Sequence, residues 1–448
     1  MFILQNFVLS TSLAAKVNRI DCEANIITLG CSKNTVDSEQ LASQLEQNGF
    51  KVTHESDKPL PVTIVNTCGF INDAKTQSIE TILHCIEDKS AGKIKVLLVI
   101  GCLSQRYKEE LQVEFPEVDA FFGVNALQEI LMFLHANLYA EFLTKRKIST
   151  PTHYAYLKIS EGCNQGCAFC AIPKIRGKQV SKPIEMLRDE AVILAENGTK
   201  ELILIAQDLT HYGYDLYKKQ NLCALLEELL KIKGFEWIRL HYAYPNSFQM
   251  EILDLMLAYP QLCRYVDIPI QHIDNEILNA MNRRITGGEI RRLIDAVRNK
   301  VSDIAIRTSL IVGFPGETKK KFEQLSRFLQ ETQLDRVGVF TYSHEENTPA
   351  YKLKDTVNQK EKERRKEELL LIQQDISLQK NKNKIGQTIK VLIDEEMPDG
   401  NFAGRTQHDS PEVDNTVIVS DKDKNITIGE FYQVKITAAD CFDLYGVV

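Results

Sequence analysis

Short runs of apolar residues alternate with amphipathic segments along most of this chain. Three such runs, at residues 25–29, 62–65 and 94–100, are each followed by a segment of helical periodicity, at 37–48, 73–87 and 105–114. Continuous apolar runs are typical of strands buried on both faces, and strands separated by helices form parallel sheets. The pattern therefore predicts a doubly wound α/β domain over residues 25–145.

The alternation resumes after a basic, proline-containing boundary near residues 145–152. Strands are predicted at 154–159, 201–205, 237–241, 265–270, 304–312 and 336–340, with helices at 183–197, 222–231, 247–257, 275–281, 288–299 and 319–332. Six strand–helix units predict a partial TIM-type (β/α) barrel over residues 150–382, whose functional side chains lie on the loops after the strands. A charged helix at 360–384, in which glutamates and lysines are interleaved, is expected to be a solvated linker.

The pattern changes again after Gly386. Short alternating runs at 388–393, 416–420 and 431–437 are separated by turns that contain Gly and Pro. This is typical of antiparallel strands, and it predicts a small antiparallel β-barrel over residues 385–448. The fold class is therefore multidomain α/β with a carboxyl-terminal barrel.

The composition excludes a membrane protein. The chain has 448 residues, of which 44% are hydrophobic and 26% are charged, as is ordinary for a globular protein of several domains. No apolar run is long enough to span a bilayer. Residues 1–24 are apolar near their start but lack the basic region and cleavage site of a signal peptide. We expect them to form a poorly ordered extension of a cytoplasmic protein.

The eleven cysteines are an odd number and lie mostly on predicted strands and loop tips, a pattern that fits reduced thiols and metal ligation better than disulfides. Three of them, Cys163, Cys167 and Cys170, lie in one loop after the predicted strand 154–159. Four thiolates would fill a four-iron cluster completely, whereas three leave one of the four irons without a protein ligand. Three cysteines therefore suit a cluster that also binds a group from outside the protein. A structural zinc is the alternative, but it would need a fourth ligand nearby, and His211 lies far outside the loop.

Three further cysteines share one structural position. Cys31, Cys68 and Cys102 each come just after a predicted strand, and their spacings of 37 and 34 residues each match one strand–helix repeat. In an open parallel sheet, ligands bind at the carboxyl edge of the strands. If the three strands are neighbours, the three thiols converge, which predicts a second three-cysteine cluster. The other five cysteines show no spacing and are expected to be small apolar residues.

These motifs together resemble the radical S-adenosylmethionine (radical-SAM) methylthiotransferases. The resemblance rests on residues 29–34, 66–70 and 101–102 in the first domain and on 161–170, 172–173 and 176–177 in the second, while 385–448 resembles the TRAM domain of that family. It implies two 4Fe-4S clusters: an auxiliary cluster on Cys31, Cys68 and Cys102 that takes part in sulfur delivery, and a radical-SAM cluster on Cys163, Cys167 and Cys170. It also implies S-adenosyl-L-methionine (SAM) as both methyl donor and radical source.

Other site residues are harder to assign from the sequence. Phe169 stands where the family has an aromatic residue before its last cysteine. Gln207 follows a predicted strand, and Gly313 lies in a segment, 311–317, that resembles the family's adenine motif except that Glu317 comes one position late. With Arg307, these are the candidate SAM contacts. No side chain is assigned a catalytic role, because the reaction is cluster-based.

The distribution of charged residues along the chain gives an indication of the substrate. Residues 385–448 contain 5 Lys and Arg against 12 Asp and Glu, whereas the rest of the chain contains 49 of each, so this region carries the whole formal net charge of −7. Phosphate backbones attract basic surfaces, and a basic ribosomal protein is attracted to an acidic one. Residues 31–39 and 68–75 likewise resemble the branch of the family that modifies ribosomal small-subunit protein twelve. Direct nucleic-acid binding and membrane binding are not expected.

That branch of the family modifies an aspartate, so the resemblance, together with the charge count, implies an aspartate methylthiotransferase of ribosomal small-subunit protein twelve. A deoxyadenosyl radical would remove hydrogen from the aspartate β-carbon, which would then attack a sulfur held by the auxiliary cluster. Candidate ligands for the aspartate carboxylate are Lys174, Arg176 and Arg307, which are cationic and near strand ends. The alternatives are a transfer-RNA adenosine methylthiotransferase and a non-enzymatic iron–sulfur scaffold or electron carrier. The sulfur source and the electron donor are not indicated by the sequence.

Overall fold

The computed structural model of the protein describes residues 22–420 and 425–448. These residues form two compact units. The first contains the described chain up to Ser149 together with Ala171–Lys178, and the second contains Thr150–Cys170 and Gln179–Val448. Nearly all of the predicted extension at 1–24 lies outside the described residues. None of the helices in the described part of the chain is long and apolar enough to cross a lipid bilayer.

The first unit is a parallel α/β sheet. Its strands are β1 (Glu23–Thr28), β2 (Lys51–His54), β3 (Val62–Thr67), β4 (Val96–Gly101) and β5 (Ala120–Phe121), in the order β2-β1-β3-β4-β5. Its helices are α1 (Ser32–Gln47), α2 (Asn72–Ser90), α3 (Cys102–Glu114), α4 (Leu127–Phe133) and α5 (Ile172–Ile175), with a 3-10 turn at Ala140–Phe142.

Both faces of this sheet are covered. Ile64 and Leu98 belong to one apolar cluster, whereas their neighbours Val65 and Val99 belong to another. Successive strand residues point to opposite faces, and both β3 and β4 are buried on both faces. β4 is apolar up to Gly101, whereas β3 combines Val62, Ile64 and Val65 with buried polar residues. The predicted doubly wound α/β fold is confirmed. The sequence pattern missed β2 and β5, since only Val52 of β2 is buried and β5 has two residues.

The second unit contains a six-stranded parallel sheet. Its strands, in the order β13-β12-β11-β10-β9-β6, are β6 (Tyr154–Lys158), β9 (Glu201–Ile205), β10 (Trp237–Leu240), β11 (Leu262–Asp267), β12 (Ala305–Val312) and β13 (Arg336–Thr341). A two-stranded ribbon, β7 (Ser160–Glu161) with β8 (Val180–Ser181), follows β6. Because the sheet order follows the chain order, the strands form the successive staves of a partial (β/α) barrel, as predicted.

The helices of this unit connect the strands. They are α6 (Ile184–Glu196), α7 (Tyr214–Tyr217), α8 (Leu222–Leu229), α9 (Glu251–Ala258), α10 (Asn275–Ala280), α11 (Gly287–Lys300), α12 (Lys319–Thr332) and α13 (Gln359–Lys382), with 3-10 turns at Pro245–Ser247 and Pro349–Lys352. The prediction that α13 is a solvated linker was wrong for one of its faces. Leu369 and Ile376 are buried, and Gln373 donates hydrogen bonds to the carbonyl oxygens of Leu334 and Asp335.

The carboxyl-terminal region is a closed five-stranded barrel. Its strands are β14 (Thr388–Glu396), β15 (Phe402–Arg405), β16 (Val417–Ser420), β17 (Phe431–Ala439) and β18 (Leu444–Val447), closed in the order β14-β15-β16-β18-β17. The pairs are antiparallel, as predicted, except that β16 and β18 are parallel. Val391, Val417 and Val434 fill the interior.

Candidate functional site

Cys31, Cys68 and Cys102 lie at three adjacent strand ends of the first unit. Cys31 follows β1, Cys68 directly follows β3, and Cys102 is the first residue of α3, directly after β4. In the sheet register Thr28 lies opposite Asn66, and Thr67 lies opposite Gly101, so the three strands end at nearly the same level. The fold therefore places the three cysteines along one carboxyl edge, where parallel α/β sheets bind ligands. We call these three residues the auxiliary triad.

Glycines allow the strand ends of this triad to approach one another. Gly30 has a φ of +98°, and a Cβ atom at that position would lie 2.9 Å from the Cys68 sulfur. Gly101 has a φ of +94°, and an added Cβ would lie 2.4 Å from Oδ1 of Asn66. Other residues rarely adopt this backbone conformation, and a side chain would push the cysteines apart.

One buried arginine lies beside the auxiliary triad. The Nη2 atom of Arg176 donates to Oδ1 of Asn34 at 2.5 Å, and its Nη1 atom lies 3.2 Å from Oδ2 of Asp37. Burial raises the pKa of the Cys68 thiol and raises that of Cys102 to about 11, while the Arg176 guanidinium acts in the opposite direction on both. The thiolates are therefore disfavoured by burial, and positive charge stabilises them.

Arg176 lies in the short segment Ala171–Lys178, which directly follows Cys170 in the chain. In the first unit, Ala171 and Ile175 of this segment pack against Cys102. Arg176 is 4% exposed, whereas Lys174 is exposed. The guanidinium of Arg176 therefore lies inside the first unit, in contact with Asn34 and Asp37.

Cys163, Cys167 and Cys170, which we call the radical triad, lie in the loop between β7 and α5. The backbone N–H of Cys170 donates to the carbonyl oxygen of Cys167 at 3.1 Å, which makes a tight turn between these two. Burial raises the pKa of the Cys163 thiol to about 11, while the Gln165 N–H, 3.5 Å from its sulfur, acts to lower it. The loop is also tied to the strand end after β9, because Nε2 of Gln165 donates to Oδ2 of Asp208 at 2.6 Å.

Two side chains that the sequence did not single out lie against Cys167. The Nη1 atom of Arg283 donates to the Cys167 sulfur at 3.3 Å, and the hydroxyl of Tyr244 lies 3.7 Å from the same sulfur. Both side chains are buried. Arg283 is 116 residues away from Cys167 in the chain, so no local spacing could have revealed this contact.

The predicted SAM contacts lie in different surroundings. Phe169 packs in an apolar cluster with Phe314, Met281 and Tyr342, next to the radical triad. Gln207 follows β9, and its Oε1 atom is buried without a hydrogen-bond partner among the described residues. Such an oxygen is unusual in a folded protein and is suited to accept a hydrogen bond from a bound molecule.

Gly313 and Arg307 are engaged within the protein. Gly313 has a φ of +76°, and its N–H donates to Oε2 of Glu317. Arg307 lies 3.4 Å from both Asp267 and Asp414 and is thus part of an ion-pair network.

Barrel carboxylates meet buried side chains of the (β/α) sheet. Asp409 pairs with Arg336, and Asp414 accepts a hydrogen bond from the Tyr265 hydroxyl at 2.8 Å. Asp394 pairs with Arg405 at 2.7 Å and with His153 at 2.9 Å. These carboxylates are engaged inside the protein, so the formal charge count of this region overstates the negative charge that its surface presents. Exposed acidic side chains remain at Glu395, Glu396 and Asp399.

The chemistry of both triads fits an iron–sulfur cluster. Within residues 22–420 and 425–448, no three His, Cys, Asp or Glu side chains are arranged to hold a single metal ion. Each triad offers three cysteines, and in a four-iron cluster each of the three thiolates would bind a different iron. Each also has one buried arginine close to a sulfur, which favours a negatively charged cluster.

Three sequence profiles match the chain. They are the uncharacterized protein family UPF0004 over residues 23–123, the radical SAM superfamily over 157–329 and the TRAM domain over 385–448. Among solved structures, the radical S-adenosylmethionine methyltransferase TsrM from Kitasatospora setae matches with a TM-score of 0.52 at 14% identity, covering 74% of each chain. This likeness concerns the fold alone.

Curated relatives match over nearly the full length. A protein of Cytophaga hutchinsonii is 51% identical over 95% of this chain and 98% of its own length. Proteins of Christiangramia forsetii and Bacteroides fragilis are 50% and 48% identical, covering 96% and 95% of this chain and 94% and 98% of their own lengths. All three are named ribosomal protein uS12 methylthiotransferase RimO.

Proposed function

Because the chain belongs to the RimO family of ribosomal protein uS12 methylthiotransferases, we propose that it installs a methylthio group on the β-carbon of an aspartate of uS12. The observation that carries the proposal is the presence of two cysteine triads in one chain that shares about half of its residues with these relatives. One triad lies in the radical-SAM region and the other at the edge of a separate α/β sheet. The protein is thus a radical-SAM methylthiotransferase that uses SAM and 4Fe-4S clusters.

Each triad has its own task in this proposal. Cys163, Cys167 and Cys170 would hold a four-iron cluster, whose chemistry would be the reductive cleavage of SAM to a radical able to remove hydrogen from an unactivated C–H bond. Cys31, Cys68 and Cys102 hold the auxiliary cluster that takes part in sulfur delivery. The protein's own work is to hold these groups, to orient SAM and the aspartate, and to exclude water.

The side chains around the radical triad suit that work. Phe169 and Phe314 form an apolar wall beside the loop, which keeps water away from it. The unpartnered Oε1 of Gln207 is a proposed acceptor for SAM, and the Gly313 backbone is a proposed neighbour of it. Arg307 is the weakest of the proposed SAM contacts, because Asp267 and Asp414 already neutralise its charge.

The domain assignment follows the same division of work. Residues 25–145 form the methylthiotransferase amino-terminal domain, 150–382 the radical-SAM domain with its terminal helix, and 385–448 the TRAM domain. The basic protein uS12 is the proposed partner, and the cytoplasm is the proposed location. Glu395, Glu396 and Asp399 offer exposed negative charge to a basic protein.

Anaerobic reconstitution of the full chain, followed by incubation with uS12, SAM, a reductant and sulfide, tests the proposal. Mass spectrometry of uS12 is expected to show the gain of one methylthio group on an aspartate. A gain on bulk transfer RNA with none on uS12 would assign the chain to the other branch of the family. Failure to release deoxyadenosine from SAM would leave only a scaffold or an electron carrier.

A further inference from the structure

The segment Met281–Arg283 clamps the radical triad from outside the loop. The backbone N–H of Ala168 donates to the carbonyl oxygen of Met281 at 2.9 Å, and Nδ2 of Asn282 donates to the carbonyl oxygen of Gly166 at 2.8 Å. With the bond from Arg283 to Cys167, three consecutive residues bind the loop. The first two bonds hold only its backbone, whereas the third reaches a cysteine sulfur.

Arg283 is fixed in place by several contacts. Its Nη2 atom donates to the carbonyl oxygen of Pro269, and its guanidinium carbon lies 4.1 Å from the centroid of the Tyr244 ring. The Tyr244 hydroxyl donates to the Arg283 carbonyl oxygen at 3.0 Å. Because that hydroxyl hydrogen is already used, the Arg283 N–H is the better-placed donor to the Cys167 sulfur. A planar, permanently charged guanidinium held in this way cannot turn away to solvent.

The charge of Arg283 has no carboxylate to neutralise it in its described contacts. Its guanidinium contacts a sulfur, a carbonyl oxygen and an aromatic ring, and Arg283 is 3% exposed. Its Nε atom is buried and has no hydrogen-bond partner among the described residues. A buried cation needs a negative partner, and the Cys167 thiolate together with the cluster that it would hold provides one.

We propose that Arg283 is a positioning residue that tunes the radical-SAM cluster through Cys167. A positive charge and an N–H···S hydrogen bond stabilise the reduced cluster more than the oxidised one, because reduction adds negative charge. Arg283 therefore raises the reduction potential of this cluster and makes the electron that cleaves SAM easier to load. The inference rests on the cluster ligands proposed above but not on the choice of substrate.

The test is a redox titration of the reconstituted full chain, followed by electron paramagnetic resonance. It is done with Cys31, Cys68 and Cys102 replaced by alanine, so that only the radical-triad cluster gives a signal. Arg283→Met removes both charge and donor, Arg283→Gln keeps a donor without charge, and Arg283→Lys keeps the charge. Arg284→Met is the matched control, because Arg284 is the adjacent arginine and is exposed.

We expect Arg283→Met to lower the ratio of reduced to oxidised cluster about tenfold at a fixed applied potential, which corresponds to about 59 mV for a one-electron couple. The reduction potential of the Arg283→Gln variant should lie between those of Arg283→Met and the parent protein. The potentials of Arg283→Lys and Arg284→Met should stay near the parent value. If the Arg283→Met variant binds no iron, the comparison of Arg283→Gln with Arg283→Lys tests the proposal, because Arg283→Gln should have the lower reduction potential. Equal potentials in all the variants that bind iron would overturn the proposal and leave Arg283 a purely structural clamp. Failure of the parent protein to assemble a cluster would instead refute the proposed function.

Discussion

Cys31, Cys68 and Cys102 come from three strand ends that are 37 and 34 residues apart, whereas Cys163, Cys167 and Cys170 come from one loop of eight residues. The auxiliary triad exists only when β1, β3 and β4 are paired in register, so tertiary structure makes it. The radical triad is close together in any conformation of its loop, and tertiary contacts from Asp208, Asn282 and Arg283 only refine it. The two triads should therefore respond differently to the same kind of change.

The largest expected effect separates their chemical tasks. Cys68→Ala should abolish methylthiolation of uS12 but leave deoxyadenosine formation measurable, because the radical triad stays intact. Cys163→Ala should abolish both. Cys85→Ala is the control for the removal of a buried cysteine from the first unit, and it should keep both activities. Loss of deoxyadenosine formation in Cys68→Ala would show that the two triads are not separable.

The second effect concerns Arg176, the arginine beside the auxiliary triad. Arg176→Met should lower the iron bound by the auxiliary triad several-fold, because Asn34 and Asp37 each lose one partner and the thiolates lose a positive charge. Iron bound by the radical triad should change little. Iron analysis of variants that keep only one triad measures this, with the exposed Lys174→Met as control. An equal loss from both triads would mean that Arg176 acts on folding as a whole.

The third effect concerns backbone strain. Gly101→Ala should destabilise the protein by roughly 3 kcal/mol, because it combines a positive φ with contacts to Asn66 and Thr67. Gly166→Ala in the radical loop should cost only about 1–2 kcal/mol, because the positive φ is its main penalty and the nearest atom to an added Cβ is 3.7 Å away. Urea unfolding of the apoprotein compares the two. A larger loss for Gly166→Ala would contradict the contrast between a tertiary and a local triad.

The smallest effect concerns the clamp on the radical loop. Asn282→Ala should cost about 1 kcal/mol of stability, since it removes one hydrogen bond to Gly166. It should leave the potential of the radical-triad cluster unchanged, because Asn282 contacts backbone only. Asn279→Ala is the control, because Asn279 is an exposed asparagine in α10, the helix that precedes Asn282. A shifted potential in Asn282→Ala would mean that loop position, and not the Arg283 charge, sets it.

Much of the fold could be read from the sequence because buried parallel strands are apolar on both faces. The run at 201–205 and the helix at 319–332 agree with β9 and α12 residue for residue. The strand predicted at 265–270 instead occupies Leu262–Asp267. It ends earlier because Pro269 has no N–H to donate to a sheet, and its first residues were missed because Arg264 interrupts the apolar run. Phe402–Arg405 and Leu444–Val447 were missed because four residues that contain a glycine carry little alternation.

The sequence could predict site residues only where they share a structural position or lie close together in the chain. The auxiliary cysteines could be grouped because each follows a strand, and the radical cysteines because they are neighbours in the chain. Arg283 and Tyr244 have no such signal, since the fold brings them to Cys167 from elsewhere in the chain. The charge count was likewise incomplete, because it could not show that Asp394, Asp409 and Asp414 are paired inside the protein.

The most direct test of two independent triads is the iron bound per chain after anaerobic reconstitution. Two four-iron clusters predict about eight irons in the parent protein, and about four in each variant in which one triad is replaced by alanine. About four irons in the parent, or none in a variant that keeps either triad, would contradict the account.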